Sequence, residues 1–450
     1  MYRSLTDSLQ RWKTSSNRTP LILRGARQVG KSHSIVEFGT RSFDNICELN
    51  LELDRRLINC FKCRNAHEIC RQIELLLDKE ISDGKTLLFI DEIQNSSDAL
   101  VSLRAFKETR PGLHVIAAGS LLEFTLKESE NFSFPVGRVS FSYLHPMSFR
   151  EFLLALGHEK LVKSLSSSSV RQPCAKSIHD HLLELVRTYF FTGGMPEVLD
   201  AYRQSKSLRD ARSIQNRLTQ AFVADFAKYG RRYDFRRLQN ILTAAPRLVG
   251  RRFKYSQIDP NTQARELKQP LLDLEHAGLV RLVRASRATG IPLGAEEREG
   301  VFKLQMLDIG LMLNALGMSD GTLPLNEFFF ANEGALAEQF VGQELMCNVE
   351  PDIQPVVHFW AREALGSEAE VDFVIPLQGK IIPIEVKAGT TGTLRSLRLF
   401  MTERNSPLGV RVSQQPLSFV DGILSIPFYM MHELPRLIAE QQLFQSKGSG

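Results

Sequence analysis

Gly25-Ala26-Arg27-Gln28-Val29-Gly30-Lys31-Ser32 sets two glycines, a lysine and a serine at the spacing G-x-x-x-x-G-K-S, with His33 next in line. Glycines at these places let the backbone close into a loop whose N–H groups surround a phosphate. The lysine then reaches the β- and γ-phosphate oxygens, and the serine hydroxyl ligates Mg2+. Farther on, the apolar run Leu87-Leu88-Phe89-Ile90 ends in Asp91 and Glu92. Asp91 suits the water shell of the magnesium, and Glu92 suits the polarising of an attacking water. A kinase acting on a small molecule has no need of the second carboxylate, so the pair favours hydrolysis of a nucleoside triphosphate.

Two further residues are candidates around a γ-phosphate. Ser120 closes the run His114-Val-Ile-Ala-Ala-Gly-Ser; it either senses the phosphate or caps the helix that follows. Arg138, in Val-Gly-Arg, is placed to neutralise transition-state charge in its own chain or across a subunit interface. The segments GARQVGKS, LLFIDEIQ, AAGSLLEF, GRVSFSYLHPMSFREF and FTGGMPEVLDAY, in this order, resemble the AAA+-type ATPases of bacteria and archaea related to the STAND group. The resemblance implies ATP and Mg2+ as cofactors and an ATPase core followed by a helical lid. His33 departs from it, since a second small hydroxyl residue is more usual there.

Cys60, Cys63, His67 and Cys70 have the residue types of a zinc site, but their spacing is that of one helix face within a helical reading of 54–80. Four ligands along a straight helix span about 15 Å and cannot surround one ion, so zinc is set aside.

The net charge of +5 is uneven: fourteen Lys/Arg face five Asp/Glu between Lys228 and Gly290, which leaves the remainder at −4. Such a segment suits an acidic partner, above all DNA. Its run LQNILTAAPRLVG, FKYSQIDP and NTQARELKQPLLDLEHAGLVRLVRASR reads as helix, short helix, longer helix and strands, the order of a winged helix-turn-helix. Arg265 and Lys268 would lie early on the second long helix, where groove contacts are made. Arg251, Arg252, Lys254, Arg281, Arg284 and Arg287 would flank it toward phosphates. A plain protein–protein role stays open for the same segment.

The last third carries Glu338, then Asp372, then Glu385 thirteen residues later and Lys387 two beyond it. Residues i and i+2 of a strand share a face, so Glu385 and Lys387 point the same way. With Asp372 on a neighbouring strand, this is the layout of the PD-(D/E)xK nuclease fold. The expectation is Mg2+ on Asp372 and Glu385, a water oriented by Lys387, and Glu338 completing the metal shell. The ATPase family resembled commonly carries such a domain, of uncharacterised function, after a winged helix.

The elements that position these groups follow from patterning. LILR, ICELNL, TLLFI and HVIAA are short apolar runs between helical patterns, as in a parallel sheet covered on both faces. The fold class expected is multidomain α/β: a P-loop sheet sandwich over 1–165, a helical lid over 178–230, a winged helix over 231–305 and a restriction-endonuclease-like domain over 306–442. The Ser-rich tract 164–177 is the linker candidate. A chain of 450 residues with 43% apolar and 24% charged residues is a folded protein of several domains. No run reaches the ~18 apolar residues of a membrane helix, and the N-terminus lacks the apolar core of a signal peptide. Six cysteines are too sparse for a disulfide scaffold, so a reducing, cytoplasmic setting is expected. A homo-oligomeric ring and a protein partner remain alternatives to DNA.

Overall fold

The computed structural model describes residues 1–119, 135, 137–229, 235–318, 333–363, 368–389 and 392–447. Ser120 lies outside the described residues. Five parallel strands form the N-terminal sheet: β1 (Leu21–Arg24), β2 (Asn45–Asn50), β3 (Thr86–Asp91), β4 (His114–Gly119) and β5 (Ser140–Tyr143), in the order β2-β3-β4-β1-β5. Four of these were legible as apolar runs; β5, with its serines and tyrosine, was not.

Alternation explains why the runs read as continuously apolar. Leu21, Leu23, Leu87, Phe89, Ile116 and Ala118 bury into one face. Ile22, Leu88, Ile90, Val115 and Ala117 bury into the other, under helices Ala66–Leu77 and Ser97–Thr109. A sheet covered on both sides has no polar face to show. The helical reading of 54–80 needs a correction: the helix breaks at Arg64, which has positive φ, and restarts with Asn65 as N-cap. The break does not gather the cysteines, for Cys60 and Cys70 are buried in that core while Cys63 is exposed.

The first apolar face continues beyond the N-terminal sheet. Helices Phe235–Leu248 and Ala264–His276 join the same cluster through Leu238, Ile241, Leu267 and Leu271. The segment 178–230, read as mostly helical and broken at the Gly-Gly-Met-Pro turn, carries helices Lys176–Thr192, Pro196–Ser205 and Leu208–Tyr229. The linker candidate is shorter than expected, since its first serines, to Ser167, end helix Glu159–Ser167.

Beyond the basic middle, β6 (Val280–Ser286) and β7 (Glu297–Met306) form an antiparallel hairpin. They do not stand apart as a wing. β6 also pairs in parallel with β8 (His358–Ala361), so one eight-stranded sheet runs β12-β13-β11-β10-β9-β8-β6-β7. Its other strands are β9 (Glu370–Leu377), β10 (Lys380–Val386), β11 (Gly409–Ser413), β12 (Ser418–Val420) and β13 (Ile423–Pro427). The boundary expected at 305/306 therefore falls inside a sheet, because the outer backbone groups of β6 are satisfied by pairing with β8 rather than by water. Helix Glu333–Cys347 packs across this sheet, with Leu336, Phe340 and Val341 buried beside Phe373 and Ile384.

Candidate nucleotide site and C-terminal carboxylate cluster

The P-loop leaves β1 at the carboxyl edge of the sheet and enters helix Lys31–Ser42. Gly25 is required by packing, since a Cβ there would lie 2.2 Å from the Leu144 carbonyl oxygen. Gln28 and Gly30 adopt positive φ and turn the loop back on itself. Lys31 is buried, and its ammonium donates to the carbonyls of Gly25 at 3.0 Å and Ala26 at 2.8 Å. Desolvation brings its pKa down to about 8, against the opposing pull of Glu92 and Asp91.

Ser32 Oγ donates to Asp91 Oδ2 at 2.8 Å, so the two motifs, on strands separated by β4, meet at one point. A hydroxyl and a carboxylate oxygen facing each other are the hard donors Mg2+ prefers, and the pair fits that ion. Burial raises the Asp91 pKa, with the Ser32 hydroxyl and the Glu92 N–H opposing it. Glu92 sits in a left-handed turn, and its carboxylate accepts from Gln94 Nε2. Gln94 went unnoticed in the sequence, although the quoted DEIQ contained it.

Other groups fall differently. His33 points to solvent toward Glu37, 3.8 Å away, so its side chain faces away from the cradle. Arg27 reaches Asp225 of helix Leu208–Tyr229 at 2.6 Å and ties the loop to the lid. Arg138 precedes β5, at the amino edge of the sheet, and pairs with Glu108 at 3.1 Å. Four strand residues, about 13 Å, separate that edge from the P-loop, so Arg138 does not stand beside the cradle of its own chain. Two groups that sequence reasoning missed support the loop from behind. Buried Arg3 donates to the Val29 carbonyl at 2.9 Å, and Pro196 of the Gly-Gly-Met-Pro turn stands against Gly30.

The C-terminal residues come together, but around a lysine. Lys303 of β7 is 2% exposed, and its ammonium stands 2.8 Å from Glu338, 2.7 Å from Glu370 and 3.6 Å from Asp372. Desolvation opposes its charge, but the three carboxylates outweigh it and raise its pKa. Asp372 also accepts from the Val386 N–H at 2.8 Å. Glu385 pairs with Lys387 at 2.6 Å. Burial, then the neighbouring Asp372, pushes Glu385 up to about 7; Glu338 likewise rises to about 7, chiefly through burial. One oxygen of Glu385 has no partner, yet a single oxygen is not a coordination shell. Among the described residues no group of three or more His, Cys, Asp or Glu is placed to hold a metal ion. The expected Mg2+ shell of Glu338, Asp372 and Glu385 is thus not assembled, because Lys303 supplies the positive charge that a cation would bring. The signal was a lone lysine inside the apolar strand Val301-Phe-Lys-Leu.

Several of the basic residues expected to meet phosphate are committed elsewhere. Arg252 pairs with Glu370 at 2.7 Å, Arg284 with Glu275 at 2.9 Å and Arg287 with Glu363 at 3.2 Å. Arg281 is turned inward, donating to His145 Nδ1 at 2.7 Å. Arg251, Lys254, Arg265 and Lys268 remain exposed.

Three family models match parts of the chain. Residues 17–153 match an AAA domain, and the phosphate-loop geometry described above falls within them. Residues 183–322 and 333–429 match two domains of unknown function, DUF8612 and DUF4143. No curated protein matches. Among solved structures, the Walker-type ATPase PABY2304 of Pyrococcus abyssi is 15% identical, covers 69% of this chain and 94% of its own, and has a TM-score of 0.43. The Aeropyrum pernix ORC1 protein in complex with DNA is 12% identical over 70% of this chain and 90% of its own, with a TM-score of 0.28. The Aeropyrum pernix ORC2 protein, in ADPNP–ADP complexes, is 11% identical over 74% and 92%, with a TM-score of 0.32. Among the described residues no helix is long and apolar enough to cross a membrane.

Proposed function

We propose that the chain is a Mg2+-dependent ATP-binding and hydrolysing switch whose nucleotide state is passed to a DNA-contacting basic middle and to a nuclease-like region that is catalytically silent. The observation that carries this reading is the meeting of Lys31, Ser32, Asp91 and Glu92 at one edge of the parallel sheet. Lys31 would draw the β- and γ-phosphates into the loop. Ser32 and Asp91 would hold Mg2+, which supplies charge neutralisation on the phosphates when bound. Glu92, oriented by Gln94, would accept a proton from the attacking water. Two contacts support transmission: Arg27 to Asp225 on the lid, and Gly278 of the basic middle against Ala26, where a Cβ on Gly278 would come within 3.3 Å of the Ala26 Cβ.

Lys31→Ala should abolish ATP binding in calorimetry, whereas Glu92→Gln should bind ATP and lose at least about 100-fold in hydrolysis. Binding and turnover unchanged in both variants would overturn the reading. The exposed Arg251, Lys254, Arg265 and Lys268 support DNA contact. Such contact predicts a log–log salt slope of about −0.9 for each phosphate met. The ion pairs that occupy Arg252, Arg284 and Arg287 favour a second reading, in which the same face docks a protein partner. Binding that is indifferent to salt, or absent with DNA, selects the second.

A further inference from the structure

A cavity of about 350 Å³ lies at the carboxyl ends of β1, β4 and β5, where the turn after helix Ala264–His276 and the start of β6 cover the ATPase sheet. The P-loop turns only its first residues, Gly25 and Ala26, toward this space; Lys31, Ser32 and Asp91 are not in its wall. That volume is in the range of small-molecule sites, a few hundred cubic ångströms with an apolar wall and a few convergent polar groups. The apolar wall here is Leu282, Val283, Met346, Val356 and Val357.

The polar side is built for an anion. Arg281 has no carboxylate within ion-pair distance among the described residues; its guanidinium donates to His145 Nδ1 at 2.7 Å and otherwise meets Met346 Sδ at 4.0 Å. A guanidinium carries only donors, so Nδ1 must accept and the imidazole proton belongs on Nε2. That Nε2 is buried and has no hydrogen-bond partner. Burial, with Arg281 and Arg3 nearby, keeps His145 well below the ordinary histidine pKa, in accord with a neutral ring. Glu275 is the acid in the wall, and Arg284 already balances it at 2.9 Å. The lining therefore offers a guanidinium with no carboxylate partner, held by the neutral His145 ring behind it and set beneath an apolar wall.

We propose that this cavity is a second ligand site, separate from the triphosphate cradle, for a phosphomonoester of nucleotide size. Its phosphate would sit on Arg281, which the His145 ring positions through Nδ1, and its uncharged body would lie against Leu282, Val356 and Val357. The assignment does not depend on ATP hydrolysis. The test is calorimetry of the full chain carrying Lys31→Ala, with AMP and GMP as probes and adenosine and inorganic phosphate as separate arms. These monophosphates lack the oxygens that Lys31 grips. The expected result is saturable binding of at least one monophosphate, at least tenfold weaker on adding Arg281→Gln, with no binding of adenosine. Inorganic phosphate should compete weakly. Restoring Lys31 beside Arg281→Gln should leave ATP binding intact, which reports the fold. If Arg281→Gln does not fold, Val356→Trp fills the cavity from its rim, where Val356 is 55% exposed, and should abolish monophosphate binding. No monophosphate binding to the Lys31→Ala chain, or binding that both cavity variants leave unchanged, overturns the proposal. Binding of oligonucleotides alone also overturns it. Because the cradle is disabled in every monophosphate arm, failure here leaves the ATPase reading standing, and failure of ATP to bind the unmodified chain leaves this one standing.

Discussion

Lys31 and Lys303 are both buried ammoniums, and their surroundings give them opposite chemistry. Lys31 has two carbonyls and two carboxylates at longer range, so desolvation dominates and its pKa drops to about 8. A triphosphate favours the charged lysine. ATP affinity is thus expected to be full below pH 8 and to fall up to about tenfold per unit above it, measurable by calorimetry from pH 7 to 9.5. Lys303 has three carboxylates within 3.6 Å and stays charged. Lys303→Met should destabilise the chain by about 3–5 kcal/mol in urea titrations, because it leaves buried carboxylates without their partner. The unmodified chain should show no Mg2+-dependent cleavage of DNA; cleavage lost on Asp372→Ala would refute the silent reading.

At the level of elements, the contacts of interest join pieces far apart in sequence. Arg27–Asp225 fastens the P-loop to helix Leu208–Tyr229. Asp225→Ala should speed nucleotide release severalfold in stopped-flow chase experiments while costing only about 1 kcal/mol of stability, as expected for a partly exposed pair. The Gly193–Gly194 turn between helices Lys176–Thr192 and Pro196–Ser205 is held by Asp308, which accepts from the Gly194 N–H at 2.6 Å. The helical character of the lid was legible from periodicity. β6 was also legible as a strand, but not its pairing with β8, since nothing local to Val280–Ser286 names a partner 74 residues on, as for Arg284 and His358.

Across the whole molecule, buried polar groups bolt helix Glu333–Cys347 to Phe149 and to the helices Lys176–Thr192 and Ile309–Ala315. Glu344 accepts from the Phe149 N–H at 2.8 Å, and Gln343 donates to Tyr189 and accepts from the Ile309 N–H. Burial raises Glu344 from 4.5 to about 7. Between those values the folded chain keeps a proton that the unfolded chain has released, so stability is greatest below pH 4.5 for this group and declines as pH rises toward 7. Glu344→Gln should remove that decline, worth about 3 kcal/mol, in denaturation curves compared at pH 5 and 8. Phe89, Leu238 and Leu271 lie in a single apolar cluster, so the N-terminal sheet and the basic middle share one core.

The chain by itself determined the phosphate loop, the paired carboxylates and four of the five ATPase strands, because each is encoded by residues close in sequence: glycine spacing, apolar alternation, a strand ending in acids. It also named Asp372, Glu385 and Lys387 as neighbours, through the period of a strand. Only the tertiary structure decided what fills the space between them. Lys303 arrives from another hairpin, Arg138 lands at the far edge of the sheet, and Arg281 turns inward to His145. Which charge meets which depends on register and packing between distant segments, and a buried charge takes its chemistry from the partners that packing delivers.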